Sequence, residues 1–161
     1  MRKPYRSFAM TAITVLLMLS AAACSEMSSI LPQQSPPTVT PRPFVSFTAQ
    51  RVVDALTAAG LPIQNAVSDL SAGRGAAPLV FTERFVFEIP RIAPYGGQIV
   101  IFGSQDDMAE WLAWVETLRN DAATRRSVVY TYTNQNAWLQ LSADLTNAEA
   151  AVYRETFLAL Q

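Results

Sequence analysis

The sequence predicts an α+β domain, with three helices packed on one face of an antiparallel sheet of about four strands, in the order α-ββα-ββα. Three observations predict it. Apolar residues recur at helical spacing in three stretches, each opened by a Thr or Ser in capping position. Between them lie shorter stretches that alternate or run apolar over strand lengths, bounded by Gly, Pro and Asn. Two segments, VIFGSQDDMAEWLAWVETL and LQLSADLTNAEAAVYRETFLAL, also follow one plan of strand, cap, early acid and helix, each preceded by another strand.

The domain is expected over 44–161. Its first helix is predicted over 49–59. Thr48 is the cap, Phe47 and Val52 form a hydrophobic staple, Val52, Val53, Leu56 and Ala59 line one side, and Gly60 and Pro62 stop it. Residues 63–70 suit a short edge strand, and 71–78 (SAGRGAAP) a loop whose Gly73-Arg74-Gly75 is too short to cradle a phosphate. Over 79–89, Phe81, Phe85, Phe87 and Ile89 alternate with Thr82, Arg84, Val86 and Glu88. Glu83 falls on the apolar face, where an edge position or a facing Arg is expected. A turn over 90–97 leads to a strand at 98–102.

Ser104 caps the second helix, with Asp106 and Asp107 in its first turn. Together with Glu110 these acids read as compensation of the helix dipole, so no metal is expected. Met108, Trp111, Leu112, Val115 and Leu118 form the buried stripe, with Trp114 on its border. Residues 127–133 and 137–142 read as a hairpin around Asn134-Gln135-Asn136. Thr146 and Glu149 open the third helix with a capping box, and Val152, Tyr153, Thr156, Phe157 and Leu160 are expected to face inward.

Composition narrows the chemistry. The chain of 161 residues has no His, one Cys and a single Lys, Lys3. Imidazole triads, thiolate sites and Schiff bases in the mature chain are therefore not expected. Of 12 basic residues, Arg2, Lys3 and Arg6 precede Cys24. The part from Cys24 onward keeps 9 against 13 acidic residues and carries −4, which argues against a nucleic-acid partner. No nucleophile-and-base motif occurs, and Glu83 and Glu88 are an odd number of strand positions apart, on opposite faces. The expectation is a non-enzyme without cofactor.

The aromatic residues remain. Tyr130 and Tyr132 share one strand face, and with Trp138 and Tyr95 they make a candidate binding face for a protein, peptide or glycan, with Arg84 or Arg91 nearby. The alternative is that they form cross-strand pairs on a half-exposed sheet.

The N-terminus supplies an address. Arg2, Lys3 and Arg6 precede an uncharged run, Phe8 to Ala23, that is rich in Leu and Ala and closes on small residues, the pattern of a secretory signal. Ala22, Ala23 and Cys24 resemble the end of a bacterial lipobox. Ala21 stands where that motif carries Leu, and Ala21-Ala22-Ala23 also fits ordinary signal peptidase. The resemblance implies that 1–23 is a signal peptide and that Cys24, the sole cysteine, is lipidated. Residues 24–43 then form a Pro-rich linker holding Pro32, Pro36, Pro37, Pro41 and Pro43. The expected function is that of an extracytoplasmic lipoprotein, held at the membrane of the cell envelope by its lipid, with a non-catalytic binding or accessory domain. The alternatives are an envelope-polymer hydrolase using acidic residues, and a secreted soluble protein.

Overall fold

In the computed structural model, which describes residues 43–71 and 77–161, α1 (Ala49–Ala58) begins at an extended Thr48 whose hydroxyl accepts the Arg51 N–H at 3.2 Å. It ends where Gly60 takes φ +79, a conformation that a side chain would strain. The signal segment, Cys24 and the linker up to Arg42 lie outside the described residues, as do residues 72–76 of the predicted loop.

Five strands follow: β1 (Gln64–Ser68), β2 (Glu83–Glu88), β3 (Gly96–Ile101), β4 (Tyr130–Asn134) and β5 (Ala137–Leu141). They form one antiparallel sheet in the order β1-β2-β3-β5-β4. The predicted edge strand is thus real, and the sheet has five strands where about four were expected. Helix α2 (Gln105–Asn120) lies between β3 and β4, and α3 (Asn147–Leu158) follows β5. Capping is as the sequence predicts. Ser104 Oγ accepts from Asp107 N, and both halves of the Thr146–Glu149 capping box are formed.

The helices do not share one face. Val52, Val53 and Leu56 of α1 and Ala150, Tyr153 and Phe157 of α3 pack on Phe87, Ile99, Ile101, Leu139 and Leu141. Trp111 and Val115 of α2 pack on the other face, against Val100, Phe102 and Trp138. Side chains alternate along a strand, so the unbroken apolar runs Ile99 to Phe102 and Ala137 to Leu139 need cover on both sides. The two strand-strand-helix units are therefore alike in sequence plan and opposite in placement. The β3–α2 connection spans three residues (102–104), whereas the β5–α3 connection spans five (142–146) and carries its helix to the α1 side.

Ala59, expected on the inward stripe of α1, is exposed as the cap after the helix, and three further residues depart from the expected pattern. Phe81 precedes β2, escapes its alternation and joins the α2 side, edge-on to Trp111 at 5.8 Å. Glu83 meets no Arg. Its Oε2 accepts the Ala49 N–H at 2.8 Å, satisfying one of the open donors of the first turn of α1. Val152 is 50% exposed, because the line through Ala150, Tyr153 and Phe157 faces the sheet and Val152 falls one step off it.

The hairpin turn binds the domain together. Gln135 takes the left-handed conformation (φ 54), while the two flanking Asn side chains act as tethers. Asn134 Nδ2 donates to Phe157 O at 2.8 Å and to Leu160 O, holding the end of α3. Asn136, fully buried, accepts Phe47 N at 2.9 Å and donates to Phe47 O at 3.0 Å, holding the entry to α1. These bonds satisfy backbone groups that burial would otherwise leave unpaired.

Candidate functional site

The face occupied by α2 is only half covered. At one end Val100 and Trp138 are cross-strand partners, buried beneath Trp111. The next rung on that face, two residues along each strand, pairs Gln98 with Gln140. Neither is beneath the helix, and above them lies a shallow pocket of about 580 Å³.

Its floor is a polar row running across the sheet. Arg84 Nη1 bonds Asp69 Oδ2 at 3.3 Å and Ser71 O at 2.6 Å, and Arg84 Nε donates to Gln98 Oε1 at 2.7 Å. Gln98 Nε2 donates to Gln140 Oε1, and Gln140 Nε2 donates to Ser127 O. The row is ordered because each donor aims the next acceptor. The aliphatic stem of Arg84 is packed away, leaving the side chain 13% exposed. The Asp69 pKa is lowered from its ordinary value, chiefly because Ser71 donates both its hydroxyl and its backbone N–H to it.

The rim is formed by Tyr95, Pro94, Ser142 and the Arg126–Asp144 ion pair at 3.0 Å. Tyr95 is 63% exposed, and its backbone is held by a bond from its N–H to Ile92 O and another from Ile89 N–H to its carbonyl. Asp144 is the one carboxylate among the described lining residues, and Arg126 already neutralises it.

The expected aromatic face is not assembled. Tyr130 and Tyr132 are half-buried on the α3 side, opposite Leu141 and Leu139. Tyr130 Oη donates to Asn147 Oδ1 at 2.6 Å, and burial raises the Tyr132 pKa above its ordinary value. Trp138 is 1% exposed on the opposite side of the sheet. Only Tyr95 lines the pocket, and of the two arginines only Arg84 does. Arg91 pairs with Glu149 of α3 at 2.6 Å. The reason is parity: Trp138 is the register partner of Thr133, one residue beyond Tyr132, so their side chains leave the sheet in opposite directions.

Sequence reasoning missed Gln98 and Gln140. The available signal was Trp138 and Gln140 standing two apart in AWLQLS, which places a large apolar group and an amide on one face. A face that changes character along one strand is a face covered at one end only. No family model matches this chain, and neither the curated proteins nor the solved structures provide a match.

Proposed function

We propose that this chain is a lipid-anchored extracytoplasmic protein whose folded domain binds an envelope component, without catalysis, in the pocket above Gln98 and Gln140. The observation that carries the binding role is the uncovered rung itself. Two ordered amides with unused hydrogen-bonding capacity lie in a pocket whose size is ordinary for ligand recognition. A non-catalytic role is supported by the state of the pocket's charged groups, since both Arg84 and Asp144 are held in ion pairs. Support for the anchor comes from the sequence: a signal-like run, Cys24 as the sole cysteine, and a Pro-rich linker directly behind it.

Two measurements test the reading. Intact-mass analysis of the membrane fraction should find a diacylglyceryl adduct that Cys24→Ala abolishes. A soluble wild-type protein beginning at unmodified Cys24 would sink the anchor. Binding of the Cys24→Ala chain, which carries no lipid to insert, to isolated envelope should weaken when Tyr95→Ala is added, and unchanged binding would remove the pocket from the reading.

A further inference from the structure

We infer that the ligand of this pocket is an uncharged saccharide chain, read by the Gln98–Gln140 rung and stacked on Tyr95. The inference rests on the binding role proposed above and adds the chemical class. A primary amide has two N–H donors and a carbonyl with two lone pairs. Within the row each of the two glutamines uses one donor and one lone pair, and neither has a further partner among the described residues. The rung therefore offers two donors and two acceptors side by side, on strands about 4.8 Å apart.

Few ligand groups match that pattern. A phosphate or carboxylate only accepts, so it could engage the two free N–H donors and would leave the second lone pair of each amide oxygen unused, although each oxygen keeps its bond within the row. A hydroxyl both donates and accepts, and a row of sugar hydroxyls meets both halves of each amide. Charge points the same way. The Arg84 guanidinium, whose side chain is 13% exposed, is matched by Asp69 and bonded to Gln98, so an anionic ligand on the row would have to compete with a carboxylate already in place. The exposed Tyr95 ring at the rim, beside Pro94, supplies a flat apolar surface for the C–H face of a sugar.

The test titrates the full chain, purified in detergent, with chitohexaose and cellohexaose as uncharged probes, against hexagalacturonate and an uncharged decapeptide. Calorimetry is read beside the side-chain amide resonances of Gln98 and Gln140. An uncharged hexasaccharide is expected to move both amide signals and to bind equally well at high salt. Gln140→Leu should weaken it about tenfold, the loss of a well-formed hydrogen bond. Tyr95→Ala, at an exposed rim position that leaves the core intact, should weaken it severalfold.

If hexagalacturonate or the peptide moves the amide signals and the uncharged sugars do not, the ligand class is wrong and the binding site stands. If no probe moves them and envelope binding survives Tyr95→Ala, both the class and the site are wrong.

Discussion

Two adjacent rungs of one ladder meet opposite fates. Val100 with Trp138 and Gln98 with Gln140 are consecutive cross-strand pairs on the same face of β3 and β5. The first is sealed by α2. The second is left open as the floor of a pocket. Strand geometry is the same for both, so the difference lies in side-chain chemistry. Trp138 and Val100 gain from being covered, and Trp111 settles on them with ring centroids 5.3 Å from Trp138. Two amides gain nothing from an apolar helix surface and would lose their water. Ala123, Arg126 and Ser127, which follow the end of α2, line the pocket over the second rung.

Breaking the sealed rung should have the largest effect. Trp138→Ala removes a large, fully buried side chain and is expected to cost about 3–5 kcal/mol in chemical denaturation. Trp111→Phe sharpens the point. Among the described residues the buried Trp111 Nε1 donor has no partner, so losing it should offset much of the lost packing and leave this change far milder.

The next effect belongs to the turn joining β4 to β5. Asn136→Ala leaves the buried Phe47 N–H and carbonyl unpaired and should cost at least about 2 kcal/mol by the same measurement. A smaller effect than expected would mean that the segment entering α1 finds other partners.

On the face packed by α1 and α3, burial raises the Tyr153 pKa from its ordinary value of 10.0 to about 12, with Glu149 adding to the shift, and its hydroxyl donates to Pro62 O at 3.0 Å. A raised folded-state pKa means that this contribution to stability is complete below pH 10 and is lost as pH rises through about 12. Unfolding midpoints should therefore fall across that window. In Tyr153→Phe the fall should flatten, with about 1 kcal/mol lost at neutral pH. An equally steep decline in the variant would place the alkaline sensitivity elsewhere.

The open rung should tolerate change best. Gln98→Leu with Gln140→Leu removes both partners of their mutual hydrogen bond and also the partners of Arg84 Nε and Ser127 O, which the open pocket leaves to solvent, so stability should fall by no more than about 1–2 kcal/mol. In the Cys24→Ala background envelope binding should be lost, and binding of an apolar dye should rise as the apolar patch of the first rung extends. A large loss of stability would mean that the row is a structural brace and not a recognition surface.

Much of the scaffold was legible locally. Thr48, Ser104 and Thr146 announce their helices because a cap is a bond between residues three apart, complete within the segment that contains it. The apolar stripes of α1 and α2 follow from periodicity for the same reason. Trp138 was placed on the wrong side because an exposed and a buried face look alike in an isolated strand. Its neighbours Ala137 and Leu139 nonetheless mark a strand buried on both sides.

What the sequence by itself determined is therefore the local grammar of the domain: where helices begin, where strands alternate, where Gly60 turns the chain. It also determined the N-terminal pattern ending at Cys24, from which the proposed address is read. Only the tertiary structure decided that Gln98 and Gln140 are neighbours, that Glu83 belongs to the start of α1, and that α2 crosses to the other face of the sheet. Each of these depends on register between segments far apart in the chain. Register is set by which apolar faces close on one another, a property that no single segment contains.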